Sequence, residues 1–574
     1  MAGLLSSLRR VAQMPALNGM LLVSSSFTLA EPVPGSHIRQ GEILDAQQQQ
    51  LQQTHERVLQ QQNSAESDVR LAPSEVVLPD YPGNERPCFT INTLRFEGDP
   101  DARFQWALNA ADVAKGHCLG GQGILLLINK VQNAILAEGY VTTRVMAREQ
   151  NLTTGVLTLT IQPGRIGDIR FERLVSWRGR LWNAIPTSSG EILNLRAIEQ
   201  GLENFKRVPS ATADIKIVPG QQDATSDLRV SWQQVSPARL SLGLDDSGSK
   251  STGRYLGATT LALDAPFAQN DLFYANIGKD LFGHGPFGSR SHTLNYFFPI
   301  GYWGFSANYN HYNWFQNIAG ANQMLTYRGK SDNLQLTLSR LLHRNQWHKT
   351  TLTLRVWRRQ SSNTVNDIDI EQQRRRTAGW ELGLSQRSYL GSATLDANLS
   401  WRRGTAASGA LRSPEENTHS GSARTGIALG DISLNQPFAL REQAWRYFTS
   451  LRGQWSLSAL TPPDRMAIAG RYTVRGFDGE HMLSGERAVI WRNELAWNVL
   501  SRGHELYAAA DYGRVADPGT RYLAGQQLVG SALGVRGRLW RRLSYDLFAG
   551  VPLVKPRSFH TAGATAGFSL NLEI

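Results

Sequence analysis

The chain has 574 residues, of which 53 are glycines and 9% are aromatic, and its formal net charge is +12. This length allows several domains. Mean hydropathy is negative and no long apolar run follows residue 30, which excludes a bundle of membrane-spanning helices. The arginines are scattered along the chain, so the positive charge does not indicate a nucleic-acid partner.

The first 30 residues have the pattern of an export signal. Arg9 and Arg10 provide its positive region, an apolar stretch follows from Met20 to Val23, and small residues up to Ala30 provide a cleavage site. We therefore expect the mature chain to be exported.

The chain contains two cysteines, Cys88 and Cys118. In an exported protein they can form one structural disulfide, which is our prediction. The alternative is a pair of reactive thiols, which would need an activating histidine or a metal nearby.

A glutamine-rich segment at residues 31–62 follows the signal. Leu44, Leu51 and Val58 recur every seven residues in otherwise polar surroundings, which predicts a helix that is polar nearly all round. A helix of about 22 residues would be about 33 Å long, enough to cross a barrel whose apolar band is about 25 Å tall. The segment is therefore either a plug inside a wet bore or a disordered or coiled-coil stretch. Prolines in residues 63–87 then predict an extended linker.

Two α/β modules are predicted in tandem, at residues 88–163 and 164–236. Each has the order strand, helix, helix, strand, strand, so the pair is an internal repeat of architecture. Asn194 caps the last helix of the second module, and that helix has apolar residues at three- and four-residue spacing. These apolar residues are Leu195, Ile198, Leu202 and Phe205.

From residue 237 to residue 574, apolar and polar residues alternate. Successive side chains of a strand point to opposite faces, so each such stretch has one apolar and one polar face. One example is the run Ala393, Leu395, Ala397, Leu399 and Trp401, which alternates with polar residues. We predict about sixteen strands, and an even number is what a closed antiparallel barrel requires. The pattern indicates a transmembrane β-barrel that is apolar towards outer-membrane lipid and polar towards a wet lumen.

The sequence contains no P-loop, no Gly-x-Ser-x-Gly motif and no histidine–cysteine spacing typical of a metal site. It therefore gives no support to ATP-driven or hydrolytic chemistry. We expect neither an enzyme nor a bound cofactor or metal, and the barrel leaves traffic across an outer membrane as the class of function.

Two short segments of the barrel region carry unusual combinations of residues. They are Val474-Arg475-Gly476-Phe477, in the connection from about residue 460 to 485, and Asp511-Tyr512-Gly513, in a strand. Alternation places Asp511 on the luminal face and Tyr512 on the lipid face. An inward carboxylate among small residues requires a cation, which Arg475 supplies if its connection folds back into the lumen. In the alternative, which the residues alone slightly favour, Arg475 lies on an exposed loop tip and Asp511 lines a wet channel.

The Val-Arg-Gly-Phe segment, followed about thirty-five residues later by Asp-x-Gly in a strand, resembles the outer-membrane transporters of two-partner secretion, the TpsB proteins. The resemblance covers the whole mature chain. It implies a plug helix at residues 31–62, a linker at 63–87, two periplasmic POTRA domains and a sixteen-stranded transmembrane barrel. Within the family, the chain is most similar to the haemolysin and contact-dependent inhibition branch.

The resemblance also implies how such a protein works. Arg475 would pair with Asp511 inside the lumen, and the POTRA domains would capture a large unfolded exoprotein (a toxin, adhesin or haemolysin) that the barrel passes outward without ATP. We predict that the second POTRA domain binds this client by strand addition or in a groove beside the helix from Leu195 to Phe205. The plug would have to move for a client to pass, and we expect the transporter to act as a monomer.

Two positions depart from the family pattern. The strand motif usually has an aromatic residue two positions before the aspartate, where this chain has Ala509, and such barrels usually end in Phe, where this chain has Ile574. Two other functions stay open at this point. A barrel-assembly insertase of the same superfamily typically carries more POTRA domains, and a plugged porin-like channel would not need the soluble modules or the luminal arginine.

Overall fold

The computed structural model describes most of the chain from residue 68 onward. The described residues are 68–71, 78–99, 102–173, 178–282, 285–320, 323–500, 503–516, 525–540 and 542–574. The predicted export signal and plug helix, residues 1–62, lie outside them, as does part of the predicted linker. Among the helices of the described ranges, none is both long and apolar enough to cross a membrane.

The first α/β unit packs a long helix and a 3₁₀ helix against a small sheet. In chain order its elements are β1 (Phe89–Thr90), β2 (Thr93–Glu97), a 3₁₀ helix (Gln105–Ala114), β3 (Cys118–Leu119), α1 (Gly121–Ala137), β4 (Arg144–Ala147), a 3₁₀ turn (Leu152–Thr154) and β5 (Val156–Gln162). Strand β5 pairs in parallel with β2 and antiparallel with β4. Leu127, Val131 and Ile135 share one face of α1 and are fully buried, which confirms the spacing argument.

Two features of this unit relate directly to the sequence. Cys88 and Cys118 form a disulfide with their Cα atoms 5.2 Å apart, so the predicted pairing is confirmed. The region predicted as a first helix is a 3₁₀ helix, in which Ala111 and Ala114 are three residues apart and fully buried. Three residues per turn place both alanines on the face that packs inward.

The second α/β unit repeats the same order. Its elements are β6 (Arg165–Phe171), α2 (Leu181–Ala184), α3 (Leu195–Lys206), β7 (Ala211–Pro219) and β8 (Thr225–Gln234). Strand β8 lies between β6, to which it is parallel, and β7, to which it is antiparallel. Asn194 caps α3, because its side-chain oxygen accepts a hydrogen bond of 2.7 Å from the Arg196 amide.

The apolar stripe of α3 forms the core of this unit. Leu195, Ile198, Leu202 and Phe205 are exposed by only 7, 1, 2 and 0% and pack with Leu228 and Val230 of the sheet. The prediction that these four side chains contact a client is therefore wrong for this structure. Their side chains face the sheet and are buried in the core of the unit.

The second unit also docks on one rim of the barrel. The Asn183 side chain donates to the Pro299 carbonyl over 3.1 Å, and the Asn204 side chain donates to the Gly301 carbonyl over 2.8 Å. The Gly301 amide in turn donates to the Asn183 carbonyl over 2.8 Å. Backbone groups of a barrel turn are thus satisfied by polar side chains of the soluble unit.

The described strands between residues 238 and 574 form a closed antiparallel barrel. Its strands and those of its loops are β9 (Ala238–Asp245), β10 (Leu256–Asp264), β11 (Leu272–Asp280), β12 (Phe287–Ile300), β13 (Trp303–Ala319), β14 (Met324–Arg344), β15 (His348–Val365), β16 (Ile368–Asp369), β17 (Arg375–Leu390), β18 (Ala393–Thr405), β19 (Gly426–Leu440), β20 (Gln443–Ser456), β21 (Met466–Ile468), β22 (Leu483–Gly485), β23 (Arg487–Leu500), β24 (His504–Ala516), β25 (Gln527–Leu539), β26 (Leu543–Val554) and β27 (Thr565–Glu573). Within the described residues, sixteen of these cross the wall, which confirms the predicted strand number. The other three, β16, β21 and β22, are two or three residues long and lie in connections.

The barrel closes where the last strand pairs with the first. Strand β27 pairs with β9 over five residue pairs, from Ser569 opposite Asp245 to Glu573 opposite Ser241. Apolar side chains face outward, and several of the aromatic residues near the docked rim contact one another there. They are Phe267, which meets Tyr296, and Phe298, which stacks on Phe305.

Candidate functional site

The connection between β20 and β23 folds back into the bore. It contains the hairpin β21–β22, in which Met466–Ile468 pairs with Leu483–Gly485. Apolar side chains of this connection pack on inward-facing residues of β23, β24 and β25. The buried members of that cluster include Ile468, Val474, Phe477, Leu483, Ile490, Val515 and Leu528. The alternative of an exposed loop tip therefore does not hold, because apolar packing draws the connection onto the wall.

Arg475 and Asp511 meet inside this contact. The Arg475 Nε donates to Asp511 Oδ2 over 2.7 Å, and its Nη2 donates to Asp511 Oδ1 over 2.8 Å. The Arg475 backbone amide adds a third bond of 3.0 Å to Oδ2. The two residues are only 6% and 1% exposed. A bidentate, charge-assisted pair of this kind fixes both the position and the orientation of the loop.

Glu494 on β23 is a third member of the site, and the sequence reasoning missed it. The Arg475 Nη1 donates to its Oε2 over 2.7 Å, while Arg536 donates to its Oε1 over 2.5 Å. Arg536 and Arg446 both bind Glu505 on β24, each over 2.8 Å. Alternation along β23 would place Glu494 in the lumen. That it lies diagonally next to Asp511 follows only from the register, in which Arg492 is opposite Asp511.

Glycines give the loop room to approach the wall. A Cβ on Gly530 would lie 1.9 Å from the Arg475 carbonyl oxygen, and one on Gly513 would lie 2.7 Å from a Val474 methyl group. Gly476 itself has φ of +95°, a conformation that favours glycine. The Gly of the strand motif and the Gly of the loop motif are thus needed on opposite sides of one close contact.

The remaining motif residues support the loop in different ways. The Phe477 ring is 3% exposed and meets the Phe559 ring edge-on at 5.9 Å. Tyr512 lies on the other face of β24, half-buried, and takes no part in the ion cluster. At the family's aromatic position, Ala509 is buried beside Tyr507, whose hydroxyl donates to Asp546 over 2.9 Å. Tyr507 therefore supplies an aromatic ring next to the position where Ala509 lacks one.

A cavity of about 650 Å³ opens beside the loop. Charged pairs on the strands from β15 to β20 line it, including Glu381 with Arg355 and Arg402, and Asp431 with Arg452. Charges of both signs in a bore that is not filled by apolar side chains are typical of a water-filled lumen.

Comparisons with known proteins agree with this architecture. The family model described as haemolysin secretion/activation protein ShlB/FhaC/HecB matches residues 224–537. Two POTRA-domain models match residues 89–164 and 165–219, the first of them ShlB-type.

Individual relatives are similar over almost their whole length. The outer membrane transporter CdiB-2 of Burkholderia pseudomallei (strain 1026b) is 36% identical over 555 residues, covering 92% of this chain and 94% of that protein. The hemolysin transporter protein ShlB of Serratia marcescens is 27% identical over 514 residues, covering 86% and 88%. The solved structure of CdiB from Acinetobacter baumannii has a TM-score of 0.81 and 30% identity, covering 92% of this chain and 99% of that one.

Proposed function

This chain belongs to the ShlB/FhaC/HecB family of haemolysin secretion/activation proteins, and from that premise we propose how it carries out two-partner secretion. It is an outer-membrane transporter whose two POTRA domains lie in the periplasm. We propose that the POTRA domains capture a large unfolded exoprotein and that the barrel passes it outward as an extended chain. This passage uses no ATP and no enzymatic step. Its direction comes instead from folding of the exoprotein outside the cell.

The observation that supports this proposal best is the luminal loop held by Arg475, Asp511 and Glu494. The cluster fixes the loop against β23, β24 and β25 and leaves the charged cavity beside it. A polar passage next to a fixed loop suits an extended polypeptide, whose backbone groups need polar partners or water throughout transit. The predicted plug helix at residues 31–62 lies outside the described residues and stays a prediction.

Client capture by strand addition is one part of the earlier prediction, and the burial of the apolar face of α3 leaves it available. Strand β6 is partly covered, because the Ile166 amide donates to the Glu191 carbonyl over 2.9 Å and the Gly190 amide donates to the Ile166 carbonyl over 2.8 Å. On β7, the sheet order places one side next to β8 and, within the described residues, no strand on the other. We propose that the client adds as a strand to β7.

We also propose that the transporter is a monomer in direct contact with outer-membrane lipid. The outward aromatic residues around Phe267 and Trp303, exposed by 66% and 37%, suit the interface between phospholipid headgroups and acyl chains. The mass of the purified protein in detergent tests this directly, and a stable dimer would contradict it.

The test of function is reconstitution of secretion. The chain is expressed in a heterologous Gram-negative host together with candidate large exported proteins, and the culture medium is assayed. We expect the exoprotein in the medium only when both proteins are present. Retention of the exoprotein in the periplasm, beside a correctly folded barrel, would contradict the proposal.

A further inference from the structure

Helix α3 of the second POTRA domain is buried on its polar face as well as on its apolar one. The side chains of Glu199 and Glu203 are 0% and 1% exposed. Arg344, at the end of β14, donates to both of them over 2.9 Å, and Lys349 on β15 donates to Glu203 over 2.5 Å. The polar face of α3 and the barrel rim thus form the two walls of a cleft whose charges compensate each other.

Residues 68–71 of the linker lie in this cleft, and it holds them by the backbone. The Val69 amide donates to Glu203 over 3.2 Å, and the Leu71 amide donates to Glu199 over 2.7 Å. The Arg344 guanidinium donates to the Val69 carbonyl. For the intervening Arg70 amide, the described residues offer no such bond. Alternate residues are therefore bound, as in an extended strand.

The spacing of the two glutamates matches an extended chain. Residues four apart on a helix are separated by about 6 Å along its axis, and residues two apart on a strand by about 6.6 Å. Glu199 and Glu203 can therefore receive the amides of residues i and i+2 of any extended peptide that runs antiparallel to the helix. Recognition of this kind depends on main-chain groups and tolerates many sequences.

Side chains add a weaker preference. Val69 is 7% exposed and belongs to the core cluster of the domain, and Leu71 packs against it. Asp68 accepts a hydrogen bond of 2.6 Å from the Tyr389 hydroxyl and pairs with Arg387 at 3.3 Å. The preferred ligand therefore has an acidic residue, with apolar residues one and three positions after it.

We propose that this cleft is a binding site for extended polypeptide, which residues 68–71 occupy in cis, and that the exoprotein is its second occupant. The proposal rests on the secretion function given above. The cleft lies between the domain that would capture the client and the rim of the bore that the client must enter. Entry of the client would displace the linker segment, so an idle transporter keeps its own entry site filled.

The first test measures binding of a fluorescein-labelled peptide with the sequence Asp-Val-Arg-Leu to the full chain in detergent. In Asp68→Asn the cis segment is held less firmly while the cleft is unchanged. We expect this variant to bind the peptide at least about tenfold more tightly than the wild type, the factor given by one charge-assisted hydrogen bond. N-methylation of the peptide's leucine should abolish binding, and N-methylation of its arginine, the matched control, should not.

The second test follows export of the exoprotein by Asp68→Asn, which we expect to be faster than export by the wild type. The cleft would be refuted as a peptide-binding site if the peptide fails to bind, or if the two N-methyl groups have equal effects. If the chain still secretes normally, the proposed function stays intact. Peptide binding with an unchanged export rate would overturn the client as second occupant. Peptide binding in a chain that exports nothing would instead contradict the secretion function.

Discussion

At the scale of single residues, Arg475 is the group on which the docking of the luminal loop depends. Its guanidinium satisfies two buried carboxylates, and the carboxylate of Asp511 has no exposed surface from which water could replace it. Removing one partner of a buried pair costs about 3–5 kcal/mol, because the other charge is left uncompensated. The loop is therefore expected to leave the wall when this side chain is removed.

We predict that Arg475→Ala abolishes secretion and leaves the barrel assembled, since no wall strand pairs through this side chain. Heat-modifiable migration in SDS gels reports the folded barrel, and exoprotein in the medium reports secretion. Arg412→Ala is the matched control, because Arg412 is exposed in the connection between β18 and β19, so its loss should change little. Normal secretion by Arg475→Ala would refute the role given to the loop.

A second prediction concerns the wall under the loop. Gly530→Ala places a methyl group 1.9 Å from the Arg475 carbonyl, a distance that only a shift of the backbone can relieve. We expect secretion to fall at least tenfold, in line with a cost of about 1–3 kcal/mol for such overpacking. Gly430→Ala, on another wall strand, meets no atom within 4 Å and should secrete normally. Equal secretion by the two variants would show that the close contact is unimportant.

At the scale of elements, the disulfide ties β3 of the first POTRA domain to Cys88, the residue before β1. It closes a loop of 30 residues, for which the loss of chain entropy predicts about 3–4 kcal/mol of stabilisation. We predict that Cys88→Ser lowers the free energy of opening of this domain by that amount, seen as faster hydrogen exchange of β5 amides in the full chain. Exchange in the second domain serves as the internal control. Unchanged exchange in β5 would contradict the prediction.

The linker segment itself should respond to pH. Burial would raise the pKa of Asp68, but the hydrogen bond from Tyr389 and the charges of Lys349, Arg387 and Arg344 outweigh it and lower the pKa below its ordinary value. The contact therefore contributes fully above that ordinary value and is lost as pH falls through the lowered one. We expect amides 69 and 71 to lose protection below about pH 4 in the wild type, and Asp68→Asn to show low protection at every pH. Identical pH profiles would exclude Asp68 as the cause.

The elements also show what could be predicted from sequence and what could not. Alternation is a local signal, so the positions of the sixteen strands, and the inward side of Asp511, could be predicted. The polar face of α3 has the pattern of a solvated surface, yet Glu199 is buried against Arg344, 145 residues away. Contacts of that separation depend on how the domain docks, which no local pattern encodes. The same reason explains why Glu494 was missed, since its neighbour in space is set by strand register.

At the scale of the whole molecule, the luminal loop occupies one side of the bore and leaves a cavity of about 650 Å³ lined by charged residues. An open passage of this kind would conduct ions continuously. The predicted plug helix at residues 31–62 would prevent this, because a helix polar nearly all round suits a wet lumen. The other interpretation, a disordered glutamine-rich segment outside the bore, would leave the passage open.

Conductance in planar bilayers distinguishes these two interpretations. We predict that deletion of residues 31–62 raises single-channel conductance several-fold. A variant with the same residues in scrambled order should conduct as the deletion does, because it loses the seven-residue spacing of Leu44, Leu51 and Val58 that gives the helix one apolar stripe. If the scrambled variant has the low conductance of the wild type, the volume of the segment closes the bore and its helical pattern is not needed. If even the deletion leaves conductance unchanged, the closure lies in the barrel and its loop.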